Sequence, residues 1–518
     1  MIAARRLALT LNFVALLFPL AFPVAARSQT TPASPTAQAV PPLPAEPSDD
    51  ELRAANLVRQ VSVLEQQRSW DEALKKLDEA KALNPHQAYL WSSYAYIDLT
   101  RDDNAAQAIL NLTREMAEHP DEQTIYVVLA RTQSKLHKLS DAVATLQKLV
   151  ALDPANQGAL AMLANALIED KQYPAAEKTI RDILATNPDN LEARSFLGTT
   201  LAREGKKAEA LAILTPIATK SRDVGAINNA AYVLADENLD PLLAEQTARR
   251  ALTMVQESFV GFGGDALFRT AVLVNLWDTL GWALFRQGKF SEAESWIRPA
   301  WTNSVAVEPG YHLGMILEKQ NQPAKAMALY QIAAFGEPGG TPQDVADKIA
   351  ERQQALLAAG TRSQIPDGKA ALKAMMTFKV PGANARTGVA TVEFELSKQG
   401  AEHAMIVKDN VTQDSLTALE MSLYPIDYKV GLPTAATSIL TRRGVLTCHA
   451  PTPCEFVLLS TGAALADYNL TAPGAAPGRY ATAPGSRNAA TRGDPYYNTP
   501  NSGSSHGNRA STKSRHSR

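Results

Sequence analysis

The chain holds only two cysteines in 518 residues, Cys448 and Cys454, and they do not form a Cys-x-x-Cys pair. A zinc site or a dithiol redox centre needs that spacing or two further ligands, and only His449 stands near. Histidine is equally sparse. Its eight copies are scattered, and none has a nucleophile or metal-ligand partner at a spacing that a helix or hairpin would bring together. A bias of charge is lacking too. The 51 Lys+Arg nearly cancel the 53 Asp+Glu, and a net charge of -2 creates no field to recruit nucleic acid or an acidic substrate. No catalytic site, cofactor or metal is therefore expected. What the chain does have is length and 45% apolar residues, enough for several packed cores.

The first residues read as a secretory signal over 1–26. Arg5 and Arg6 precede an apolar run from Leu7 to Val24, and the small residues Ala25 and Ala26 follow as a cleavage site. The run is shorter than the roughly 20 residues a spanning helix needs. It is also broken by Pro19 and Pro23, so an uncleaved anchor is the lesser reading. No cysteine follows for lipid attachment. Residues 27–48 form a proline-rich linker with no apolar face to bury. The expected destination is outside the cytoplasm, periplasmic or secreted.

A period of 34 residues dominates the middle of the chain. Ala142, Ala176 and Ala210 keep that step, as do Ala130, Ala164 and Gly198, then Leu129, Leu163 and Leu197, then Pro120, Pro154 and Pro188. Helix propensity constrains spacings of three and four but not of thirty-four, so "WDTLGWALFRQGKFSEAESWIRPA" (277–300) is a copied helical hairpin. The small column lets paired helices approach closely, with the Ala column fitting against it. Leu146, Ile180, Leu214, Ile297 and Tyr330 are expected to fill the gap to the next unit.

These columns resemble the tetratricopeptide repeat, whose 34-residue pattern runs W-x2-L-G-x2-Y, A-x3-F and P. The resemblance implies a mainly α fold: a solenoid of eight hairpins over 49–340, at 54–87, 89–122, 123–156, 157–190, 191–223, 224–256, 274–306 and 307–340. Pro216 should kink or end its helix early. "GFGG" (261–264) has neither a preceding strand nor a following Lys-Ser or Lys-Thr, so it reads as a loop rather than a phosphate cradle, with Asp265 as the next helix cap. Residues 341–360, with Thr341 as cap, Pro342 in the first turn and Gly360 as stop, read as a capping helix.

After Gly360 the apolar period drops to two. "AALKAMMTFKV", "GVATVEFELS" and "EHAMIVK" read as a β-meander. A helix over 414–423 and strands near 438–448 and 455–459 complete a small α+β domain over 364–460. Residues 388–425 resemble the C-terminal domain of TonB-type energy transducers, although "NVTQDS" replaces that family's Ser-Gly before the helix and no membrane anchor fits the rest. Cys448 and Cys454 flank "HAPTP" and read as a hairpin disulfide of an exported protein. Residues 470–518 carry seven Lys or Arg against one acid among Gly, Ser, Ala, Pro and Asn, and read as a disordered basic tail. That tail could touch an anionic surface. With an uncleaved signal, it is the lone route to a membrane that the sequence offers.

Repeat arrays of this family also occur in O-linked N-acetylglucosamine transferases, but the hundred residues after this array are too few for such a catalytic region. The expected role is a non-enzymatic scaffold. In the family's register the second, fifth, ninth and twelfth to thirteenth positions of each first helix face a groove, here including Arg131, Lys135, Asn165, Arg203, Asn228, Tyr232, Asp278, Arg286 and Tyr311. Singly each could be a solvated helix face. Together they suit backbone hydrogen bonding to a protein or extended peptide. The family's carboxylate clamp of Lys, Asn, Asn, Lys and Arg is not reproduced, because its lysines are missing. Trp91, Trp277, Trp296 and Trp301 read as inter-helix packing. The alternative role is an accessory subunit whose TonB-like domain contacts an outer-membrane receptor or wall polymer. Array and α+β domain, each with its own core, are expected to unfold separately.

Overall fold

A computed structural model describes residues 46–256, 262–336, 343–362, 365–380, 386–409, 411, 420–428, 431–435 and 439–471. The signal, nearly all of the linker, the caps Thr341 and Pro342, most of the helix expected over 414–423, and residues 472–518 of the tail lie outside them.

The described chain is mostly helical, and its helices pair into eight hairpins. In order these are α1 (Asp49–Gln66) with α2 (Trp70–Leu83), α3 (Leu90–Thr100) with α4 (Ala105–Glu118), and α5 (Gln123–Lys135) with α6 (Leu139–Leu152). Next come α7 (Gln157–Glu169) with α8 (Tyr173–Thr186), α9 (Leu191–Arg203) with α10 (Lys207–Lys220), and α11 (Val224–Asp236) with α12 (Pro241–Gln256). The last two are α13 (Gly264–Arg286) with α14 (Phe290–Ser304), and α15 (Val307–Lys319) with α16 (Pro323–Ala333). A single helix, α17 (Gln343–Ala358), packs on α15 and α16 and stops at Gly360, whose φ is +84°.

The small column works as a contact between the two helices of one hairpin. A Cβ on Gly198 would lie 2.5 Å from Leu214, one on Gly281 2.3 Å from Ile297, and one on Gly314 2.1 Å from Tyr330. Leu214, Ile297 and Tyr330 therefore seat on the glycine of their own unit, and they also belong to the core that continues into the neighbouring units. Each hairpin turns through one left-handed residue: Arg68, Asp103, His137, Lys171, Gly205, Asn238, Gly288 and Asn321 in order. The next amide then donates back to the first helix, as Lys206 to Leu201 and Lys289 to Leu284 do. Entry to the first helices is capped by Asn156, Asn190 and Asp223, whose side chains accept from Ala159, Ala193 and Ala226.

Neither the early end at Pro216 nor the cap at Asp265 is found. Pro216 lies inside α10, which runs on to Lys220. Pro216 and Ala212, whose carbonyl it leaves free, both sit on the exposed face, so water can satisfy that carbonyl. Nor does Asp265 cap α13: the cap is Gly263, at φ 102°, and Asp265 stands in the first turn.

Past the array, "AALKAMM" is not a strand. Asp367 caps it as helix α18 (Gly368–Met376), accepting from the Ala370 amide at 3.0 Å, and only β1 (Thr377–Lys379) follows in extended form. The sheet continues with β2 (Thr387–Ser397), β3 (Gly400–Asp409), β4 (Leu440–His449) and β5 (Glu455–Leu458), in the antiparallel order β1-β5-β4-β2-β3. The expected meander is thus corrected: β1 pairs with β5 on the far side of β4. Cys448 and Cys454 form a buried disulfide across the β4–β5 turn. Beyond the expected domain end at 460, helix α19 (Thr461–Thr471) returns to the array, where its Tyr468 ring covers Gly264 of α13.

This return joins the two halves. Thr441 donates its amide to Thr270 Oγ1 at 3.0 Å, and Arg269 donates to the Ile439 carbonyl at 3.3 Å. The Gly263 amide donates to Glu393 at 2.9 Å, and Asn303 binds the Gly431 carbonyl at 2.9 Å and the Arg442 guanidinium. Glu393 also meets the buried Arg443 at 3.2 Å, and Asp467 of α19 meets it at 2.8 Å. One apolar core runs without a break from Leu214 to Leu458. The separate cores expected from the sequence do not exist.

Candidate functional site

The first helices α7, α9, α11, α13 and α15 lie side by side, so one face of the array is built from their outward positions. Most expected groove residues are on it, but many are already engaged. Arg203 Nε is 2.9 Å from Glu237, Asp278 is 3.0 Å from His312 Nδ1, and Tyr232 donates to the Glu308 carboxylate. The first two pairs span one period of 34 residues, so the polar lining stitches each repeat to its neighbour. Asn165 donates to Glu169 at 2.9 Å on its own helix, and Lys135 reaches Asp103 at 3.8 Å on the exposed surface.

An aromatic cluster ends the row. Trp282 stacks on His312 with ring centroids 4.0 Å apart and on Phe285 at 4.6 Å, and donates to Asp236 at 3.2 Å. Tyr311 tilts against Trp282 at 6.5 Å and Tyr330 at 6.3 Å, and burial raises its hydroxyl above the usual range. Arg286 lies over the Trp282 ring at 5.8 Å and donates to the Asp236 carbonyl at 3.1 Å. Burial disfavours the charged form of His312, yet the carboxylates of Asp278, Glu308 and Asp236 outweigh it and hold the imidazole above its ordinary value.

Some polar groups on this face have no hydrogen-bonding partner in the described structure. They are the half-buried Arg131, whose guanidinium burial depresses, the buried Oδ1 of Asn228, and Nε of Arg286. Reading the sequence missed a fourth, Glu192. It occupies the second position of its repeat, so the same register that picked Arg203 on α9 marks it. It lines a small cleft between α9 and α11, open to solvent, with Ser195, Phe196, Thr199, Asn229, Tyr232 and Val233. Burial alone pushes its carboxyl up to about 7.

A family model described as tetratricopeptide repeat matches residues 136–189, and a second with the same description matches residues 278–299. The chain contains tetratricopeptide repeats. Repeats of this kind typically mediate protein–protein interaction, and the proteins that carry them are generally non-catalytic scaffolds. No curated protein matches the chain. Among solved structures it is similar to a tetratricopeptide repeat protein of Parabacteroides merdae, at 16% identity over 58% of this chain and 99% of that one, with a TM-score of 0.39. Yeast Tom70 is similar at 14% identity over 61% and 66%, with a TM-score of 0.40. YrrB, described as a tetratricopeptide repeat protein with an unusual peptide-binding site, is similar at 18% identity over 34% and 91%, with a TM-score of 0.27. None of these figures bears on what this chain binds.

Among the described residues, no three His, Cys, Asp or Glu side chains gather as a metal site. No described helix is long and apolar enough to cross a membrane.

Proposed function

We propose that this tetratricopeptide repeat protein is an exported, non-enzymatic scaffold that binds an extended segment of a partner protein along the first-helix face of α5 to α15. The observation that carries the reading is the set of unspent polar groups there: Arg131, Asn228 Oδ1, Arg286 Nε and Glu192. A buried polar group without a partner costs about 1–3 kcal/mol, and a peptide backbone supplies both donors and acceptors. The signal-like segment Leu7 to Val24 and the disulfide between Cys448 and Cys454 support an oxidising compartment outside the cytoplasm.

Photo-crosslinking from benzoylphenylalanine at Ala161 of α7 tests this in an envelope extract. A partner peptide captured there supports the groove. Capture that occurs only from positions on the sheet moves binding to the second reading, a domain that contacts an outer-membrane receptor or wall polymer. The edge strand β3 favours that reading through its exposed apolar side chains Met405 and Val407, while Tyr424 and Glu420 already take the outward amides of Ala404 and Ile406.

A further inference from the structure

We propose that the cleft between α9 and α11 is a subsite for the cationic head of a lysine or arginine side chain in the bound peptide, with Glu192 as its counter-ion. The proposal rests on the first-helix face being a peptide groove and names what one part of it selects.

The cleft is rich in acceptors and poor in donors. Ser195 spends its hydroxyl hydrogen on the Leu191 carbonyl at 2.9 Å, and Thr199 spends its own on the Ser195 carbonyl at 3.1 Å. Tyr232 donates to Glu308 on α15. The hydroxyl oxygens of Ser195 and Thr199 remain as acceptors beside Glu192, and Asn229 adds the amide of one further lining side chain. A ligand for such a cleft must bring its own hydrogens, three from an ammonium or five from a guanidinium. Phe196 and Val233 supply an apolar wall for the side-chain stem.

Glu192 is 9% exposed and has no ion pair or hydrogen bond among the described residues. Burial raises its carboxyl by disfavouring the ionised form. Its place in the first turn of α9 offsets part of that cost, and a cation arriving in the cleft would offset the rest. A single carboxylate with neutral oxygens suits an organic cation, where a divalent metal would want several carboxylates.

The experiment uses the full chain and a positional-scanning library of N-acetylated dodecapeptides. Selected peptides are expected to carry Lys or Arg at one fixed register. Glu192→Gln should bind them at least about tenfold more weakly, the worth of one charge-assisted contact. The same variant should melt at a higher temperature than the parent, because its buried unpaired carboxylate is gone. A side chain with a purely structural role would lose both stability and binding. Glu192→Lys should turn the preference at that register to Asp or Glu. Peptides that crosslink at Ala161 yet show no cation preference, or that Glu192→Gln binds undiminished, overturn the subsite and leave the groove standing. Absence of any crosslink at Ala161 overturns the groove itself.

Discussion

Asp278 and His312 stand one repeat apart, on α13 and α15, and both carboxylate oxygens lie 3.0 Å from the imidazole Nδ1. Both side chains are buried, and the imidazole is stacked on Trp282 of the same first-helix face. This pair ties the seventh repeat to the eighth through charge, as Arg203 and Glu237 tie the fifth to the sixth.

The pair makes the end of the array sensitive to pH. His312 is held above its ordinary value, so its stabilising charge is fully present below about 6.5 and is lost as pH rises through the raised value. Thermal melts between pH 5.5 and 9 should show stability falling over that range. His312→Gln should flatten the profile and remove about 1–3 kcal/mol at pH 6. A parent profile that is flat, or that rises with pH, would contradict the assignment.

A carboxylate at the other end of the molecule gives the same slope for a different reason. Glu65 on α1 is buried, and burial pushes its carboxyl up to about 8. The native state keeps a proton that the unfolded chain releases near 4.5, so the first hairpins weaken as pH rises from there to 8. Glu65→Gln stays neutral and should add about 2–4 kcal/mol at pH 8 while changing little at pH 4. Because Leu77, Leu90 and their neighbours form a separate apolar cluster, amide exchange in α1 to α3 under urea reads this locally.

Legibility followed the range of the physics. The 34-residue step of Ala142, Ala176 and Ala210 exposed the hairpins because close helix packing demands a small residue at the same place in every copy. The turns were less visible: His137, Lys171 and Asn238 do with a left-handed backbone what glycine does at Gly205 and Gly288, and the residue type gives only a weak signal at His137 and Asn238 and none at Lys171. "AALKAMM" misled because apolar residues in a short amphipathic helix can mimic a period of two, and the Asp367 cap outweighed the pattern. At the candidate site the register gathered residues on the first helices, but it could not say that Arg203 and Asp278 are spent on neighbouring repeats while Glu192 is left over. Partners 34 residues away lie outside any local window. The seam between array and sheet was invisible for the same reason, since Arg269 meets Ile439 across 170 positions.

That seam gives a direct test by charge removal. Glu393 holds the fully buried Arg443 at 3.2 Å and accepts from the Gly263 amide at the entrance to α13. Glu393→Gln can keep the amide bond but leaves the guanidinium with Asp467 as its remaining carboxylate. Breaking a buried pair in this way should cost about 3 kcal/mol. Urea unfolding followed by circular dichroism should show the loss in helix and sheet signals together.

The broadest consequence concerns cooperativity. Apolar packing is continuous from Leu214 through α13 and into Phe394, Leu446 and Phe456 of the sheet. The later repeats and the sheet should therefore melt as one unit, while the earlier repeats, whose clusters are separate, can open on their own. Gly281→Leu probes this from inside the array. A Cβ there would already stand 2.3 Å from Ile297 and 3.0 Å from the Ala293 carbonyl, so α13 must move away from α14. Overpacking of this kind costs about 1–3 kcal/mol. Helix α13 also carries Arg269 and Thr270, which hold the sheet, so the strain passes to both sides of it. Calorimetry should show the upper transition, containing the sheet, shifting down as a whole. If the sheet keeps its own transition at an unchanged temperature while the repeats loosen, the seam is a surface contact and the two halves fold independently.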